Sequence, residues 1–84
     1  MTSQISAIIP NYNHANYLPT SVTALLQQTR PPDEIIIIDD ASTDNSIEVI
    51  SALAGADPRI KILKNRKNRG AIFTLNRGIE AASG

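Results

Sequence analysis

The chain has 84 residues, 42% of them hydrophobic and 19% charged, with a formal net charge of zero and no cysteine. That composition is one ordinary globular domain at most, and it excludes a disulfide framework and a thiolate zinc site. The neutral balance argues against nucleic acid as a partner, and no apolar run approaches the roughly 18–20 residues that span a bilayer.

The start, Met1-Thr2-Ser3-Gln4, lacks the basic and apolar stretches of a signal peptide. With the missing cysteines, this sets the expectation of a cytoplasmic protein with no membrane segment in this chain.

Taken in chain order, the first element is a short apolar run, Ile5 to Ile9, predicted as a strand that ends at Pro10. Proline cannot donate to a ladder. A polar loop follows from Asn11 to Asn16. Leu18, Val22, Leu25 and Leu26 then recur at the spacing of one helical face. Pro19 belongs in the first turn of that helix, where its missing N–H costs nothing. Arg30-Pro31-Pro32 ends it. Ile35 to Ile38 is apolar and β-branched at every position, the mark of a strand covered on both faces of a parallel sheet. It runs into Asp39-Asp40.

Ser42, Thr43, Asp44 and Asn45 are all N-cap residues, and Asn45 with Glu48 has the spacing of a capping box. Ile47, Ile50, Leu53 and Ala54 form the stripe of a second helix, broken by Gly55 to Pro58. Arg59 to Lys64 alternates as a half-buried or edge strand does. After a basic loop, Ile72, Leu75, Ile79 and Ala82 share one face of a third helix. Gly78 inside that helix costs about 1 kcal/mol relative to alanine and points to close packing.

Alternating strands and helices imply an α/β fold with a parallel, Rossmann-like sheet. Right-handed crossovers with strand order 3-2-1 put the first two helices on one face and the third on the other, a three-layer αβα arrangement. A fourth strand would begin at Ser83-Gly84, beside strand 1. Strand 1 is therefore expected to have an open edge, a route to self-association.

Ligands in such sheets bind beyond the carboxyl ends of strands, where strand order reverses. Two polar clusters fall there, Pro10-Asn11-Tyr12-Asn13 and Asp39 to Asp44. Of the two consecutive carboxylates, one could accept a base N–H while the other is held by local backbone, or both could solvate the loop and favour the next helix dipole. Neighbouring carboxylates offer too few oxygens for a hard cation. Tyr12 could stack on a flat ring or pack on the following helix. Asn13 could cap that helix or bond the neighbouring loop. His14 reads as an ordinary exposed residue. Every charge from Asp33 to Asp57 is acidic and every charge from Arg59 to Arg77 is basic. The basic loop is either a solvated connection or a positive rim for an anion.

Ile8-Ile9-Pro10-Asn11-Tyr12-Asn13, Leu18 and Leu26-Gln27-Gln28-Thr29 resemble the opening of family 2 glycosyltransferases. Pro32 to Asp44 resembles that family's second strand and acidic signature. Asn68-Arg69-Gly70, Leu75 to Ile79 and Ala82-Ser83-Gly84 resemble its third segment. The resemblance runs from about Ile5 to Gly84. It implies the N-terminal part of a GT-A fold and a nucleotide-diphosphate sugar donor, most often a UDP-sugar. It carries nucleotide-binding roles onto Pro10, Tyr12 and Asp40, with Asn13 and Asp39 beside them and Asn68 and Gly70 as weaker members. Ala41 stands where the family commonly has glycine.

The family's Asp-rich Mn²⁺ or Mg²⁺ motif and its catalytic carboxylate lie further along than this sequence extends. The metal is thus expected of the full-length enzyme, and residues 1–84 are read as its truncated nucleotide-sugar-binding part, inactive alone. The alternative is a non-catalytic α/β binding or assembly module.

Overall fold

The computed structural model describes residues 4–82. Three strands alternate with three helices: β1 (Ser6–Asn11), α1 (Leu18–Leu26), β2 (Glu34–Asp39), α2 (Ser46–Ala56), β3 (Ile60–Lys64) and α3 (Ala71–Ala81). All three strands are parallel, in the order β1-β2-β3, which is 3-2-1 read from the other edge. β2 is central and buried at every position.

Side chains of β2 alternate between the two faces of the sheet. Ile35 and Ile37 meet Leu18 and Val22 of α1 and Ile50 of α2, with Ile60 closing the cluster. Ile38 and Ile8 lie under α3 on the other face. The three layers expected from crossover handedness are therefore present.

Three features differ from the sequence reading. β1 does not stop at Ile9; it continues through Pro10 to Asn11, with Pro10 in register with Ile38. β1 is an edge strand, so proline's missing N–H removes no ladder bond. Asn45 is the N-cap residue of α2, but its side chain makes no capping bond. Asp44 takes that role, accepting hydrogen bonds from the N–H of Ser46 at 2.9 Å and from the Ser46 hydroxyl. Those bonds, led by the Ser46 hydroxyl, outweigh partial burial and hold the Asp44 carboxyl below its ordinary value.

The third difference concerns α3. Ile72, Leu75 and Ile79 share a face, but that face is exposed, Ile72 by 79% and Ile79 by 55%. The helix meets the sheet through Thr74 and Gly78 instead. A Cβ on Gly78 would lie 2.5 Å from Ile8 Cγ2 and 2.6 Å from Ile38 Cδ1. The smallest residue sits where helix and sheet are closest, which leaves the larger apolar side chains on the outer flank.

β1 pairs only with β2 among the described residues, so its other edge is open. Ser83 and Gly84, where a fourth strand is expected to begin, lie outside them. At the amino end of the sheet Glu34 is buried and accepts from Ser6 Oγ at 2.6 Å and Lys61 Nζ at 2.7 Å.

Candidate functional site

Parallel strands bring the loops after β1, β2 and β3 to the same end of the sheet. The loop after β1 and the turn after β2 are tied by three side chains. Ser42 Oγ donates to Asp39 Oδ1 at 2.6 Å and accepts from the N–H of Asn13 at 3.0 Å. Asn13 Oδ1 accepts from the N–H groups of Thr43 at 2.7 Å and Asp44 at 3.2 Å. Asp44 Oδ2 accepts from the N–H of Ala15 at 3.2 Å. Two residues here lie in the left-handed region, Asn13 at φ 55° and Ala41 at φ 57°. Asparagine tolerates that region; alanine does so at a cost.

Asp39 is buried and belongs to this tie. Its Oδ2 accepts from the N–H of Ser42 at 2.9 Å, and its Oδ1 also accepts from Asn11 Nδ2 at 3.0 Å. The Asn11 amide must turn its nitrogen to that carboxylate. Its own oxygen is thereby left buried without a protein donor.

Asp40 turns to the third loop. Its Oδ1 accepts from Asn65 Nδ2 at 2.8 Å and from the N–H of Arg69 at 2.7 Å; its Oδ2 accepts from the N–H of Gly70 at 2.9 Å. Gly70 has φ 88° and precedes α3, so Asp40 caps that helix from another strand. Burial pushes the Asp40 carboxyl up, but the bonds from Asn65, Arg69 and Gly70 outweigh it and hold the group below its ordinary value. Asn65 ties the corner together. Its Nδ2 also donates to Thr74 Oγ1 at 2.9 Å, and its Oδ1 accepts from Arg77 Nη1 at 2.8 Å.

Between these loops lies a pocket of about 370 Å³. It brings together five of the seven residues singled out in the sequence: Pro10, Tyr12, Asp40, Asn68 and Gly70. Asn13 and Asp39 are not in its wall; they hold the loops that form it. Asn11, named only as part of its cluster, His14, read as an ordinary exposed residue, and Ala71 and Thr74, given no role in the sequence reading, also line the pocket. His14 is exposed as expected, and its ring stands edge-on to Tyr17 at 5.9 Å. Asn65 was also missed. Its one signal is its place directly after an alternating strand, level with Asp40.

The pocket is a mostly apolar wall with a few polar groups set into it. Tyr12 is 43% exposed, so its ring is free to cover a flat ligand. Asp40 supplies an ionised acceptor, held by Asn65, Arg69 and Gly70 and by the Thr74 side chain. Gly70 has open space where a Cβ would stand.

The same geometry does not fit a divalent ion. Asp39 and Asp40 bond different loops, so they do not converge on one point. Among the described residues no three His, Cys, Asp or Glu side chains are grouped to hold a metal. No helix among them is long and apolar enough to cross a membrane.

The sequence profile of glycosyl transferase family 2 matches residues 6–84. This chain belongs to that family.

The chain is similar to glycosyltransferase GlyG of Streptococcus pneumoniae, with 40% identity over all of this chain and 28% of the relative. It is 43% identical to the uncharacterized glycosyltransferase YibD of Escherichia coli over 99% of this chain and 24% of that one. Among solved structures it resembles a mannosyltransferase from Pyrobaculum calidifontis held with GDP-Man and Mn²⁺. The TM-score is 0.86 at 26% identity, covering 99% of this chain and 26% of the other. The family 2 chain thus spans about a quarter of the length of these proteins.

Proposed function

We propose that residues 1–84 form the nucleoside-binding part of a glycosyltransferase, and that the donor is a UDP-sugar. The observation that carries this reading is the pocket joining Pro10, Tyr12, Asp40, Asn68 and Gly70 in a chain of family 2. Tyr12 covers the base, and Pro10 walls its edge. The ionised Asp40 carboxylate only accepts hydrogen bonds, which matches the N–H of a uracil. Gly70 lets the nucleotide approach the backbone. Asn13 and Asp39 take part by holding the loops rather than by contact.

The mannosyltransferase with GDP-Man supports a nucleotide-diphosphate sugar in general. A guanine also presents N–H donors to a carboxylate, so uridine over guanosine is this reading's finer step. In the whole enzyme the diphosphate is met by a divalent ion on residues outside this chain, as is the base that activates the acceptor hydroxyl. Residues 1–84 alone therefore bind without transferring. The compartment is the cytoplasm, in keeping with a cysteine-free sequence.

The test is a titration of the isotope-labelled chain with UDP and with GDP, following backbone amides by NMR with and without Mg²⁺. Weak, metal-independent shifts at Tyr12, Asp40 and Gly70, larger for UDP, are expected. Equal response to both nucleotides removes the uridine preference. No shift at millimolar nucleotide in a folded sample removes the nucleotide reading itself.

A further inference from the structure

A second pocket, of about 240 Å³, lies on the β3 side and is lined by Lys64, Asn65, Arg66, Arg69, Phe73 and Arg77. It shares no lining residue with the pocket around Tyr12 and Asp40. The loop between β3 and α3 divides the two: Asn68 and Gly70 face one, Arg66 and Arg69 the other.

Four cations line this pocket with no ion-pair partner among the described residues. The ion pairs among the described residues join Arg30 to Asp33, Arg59 to Asp57 and Lys61 to Glu34, all elsewhere. Every charge from Arg59 to Arg77 is basic, and the nearby carboxylates Asp39 and Asp40 accept from Ser42 and Asn11 and from Asn65 and the backbone of Arg69 and Gly70 rather than from these cationic groups. Unpaired like charges repel one another, and an anion between them relieves that repulsion.

Two of the guanidinium groups are held in place. Arg77 Nη1 donates to the carbonyl of Lys64 at 2.6 Å and to Asn65 Oδ1 at 2.8 Å, leaving its other N–H groups uncommitted. Arg69 lies over the Phe73 ring, 5.2 Å from its centroid, while its backbone N–H is clasped by Asp40. Held guanidinium forks match phosphate oxygens in geometry and lose little freedom on binding. The space is smaller than the pockets that enclose drug-sized ligands, which run from about 300 Å³ upward, and suits a compact anion.

We propose that this pocket is a binding site for a phosphate or diphosphate group, separate from the nucleotide pocket and independent of the nucleotide reading. The phosphate could belong to a free molecule or to a lipid headgroup.

The experiment is an NMR titration of the labelled chain with inorganic pyrophosphate at constant ionic strength, repeated on the variant Arg66→Gln/Arg69→Gln. Sedimentation with vesicles of phosphatidylcholine containing phosphatidylglycerol is run beside it. Saturable shifts at Arg66, Arg69 and Phe73 with Tyr12 unmoved are expected. The double variant keeps its other resonances and binds more weakly, by roughly tenfold for each guanidinium lost. Pyrophosphate binding without vesicle binding assigns a free ligand. Vesicle binding that the variant loses assigns a headgroup. The proposal is overturned by the absence of both, by shifts that never saturate or survive in the variant, or by Tyr12 moving on the same curve.

Discussion

Asp39 and Asp40 are adjacent in the chain, yet their carboxylates clasp different loops. Asp39 accepts from Ser42 and Asn11, whereas Asp40 accepts from Asn65, Arg69 and Gly70. Their substitutions should therefore separate. Asp40→Asn turns an amide donor toward backbone donors. It is expected to cost about 2–3 kcal/mol of stability and to move the amide resonances of Arg69 and Gly70. Asp39→Asn should leave those two amides in place and move Ser42 and Asn13 instead. Denaturant unfolding and amide spectra of both variants check this; identical shift patterns would show that the two carboxylates act as one unit.

The same clasp has a pH signature. The Asp40 carboxyl lies below its ordinary value of 3.8 in the folded chain. The folded state therefore holds its proton less tightly than the unfolded one. The stability this contributes is present above about pH 3.8 and is lost as pH falls through the lower folded value. A carboxyl ¹³C titration should place Asp40 below 3.8, with the amides of Arg69 and Gly70 following the same curve. A midpoint above 3.8 would mean that burial outweighs the hydrogen bonds.

Gly78→Ala sets helix propensity against packing. On an exposed helix the change would add about 1 kcal/mol of stability. Here the new methyl group meets Ile8 and Ile38 at 2.5 and 2.6 Å. A net loss of about 1–3 kcal/mol is expected from overpacking, measured by chemical denaturation. A gain would show that α3 moves off the sheet freely.

Ala41 carries a backbone cost that glycine does not. Its φ of 57° crowds the Cβ against its own chain. Ala41→Gly should raise stability by about 1 kcal/mol without altering the amides that line the pocket. An unchanged melting temperature would mean that this turn relaxes out of the left-handed region.

Much of the fold was legible because β2 is so uniform. Four consecutive isoleucines specify a strand covered on both faces, and crossover handedness then assigns each helix its side. The face of α3 was not legible in the same way. Its apolar stripe indicates a helix correctly, but contact with the sheet is decided by where small residues permit approach, and Thr74 and Gly78 do so. Pro10 misled for a related reason. Its missing N–H ends a central strand but not an edge one, and β1, expected at the edge of the sheet, runs on through it.

In the candidate site, residue types pointed to the pocket through Pro10, Tyr12 and Asp40. The support beneath them was hidden. Asn65 reaches Asp40 across 25 positions of sequence, and no local pattern signals such a bond. Asn13 and Asp39 carry the right chemistry for a ligand but use it on neighbouring loops, a choice that only the three-dimensional arrangement makes.

Asp40 grips the β3–α3 loop by main-chain N–H groups at Arg69 and Gly70, not by the side chains of Arg66, Lys67 or Arg69. The path of that loop is consequently indifferent to most of what it displays. Charges there can be exchanged, reversed or deleted while the wall beside Tyr12 stays where it is. One surface of a single short segment is thereby free to diversify, and the other is anchored.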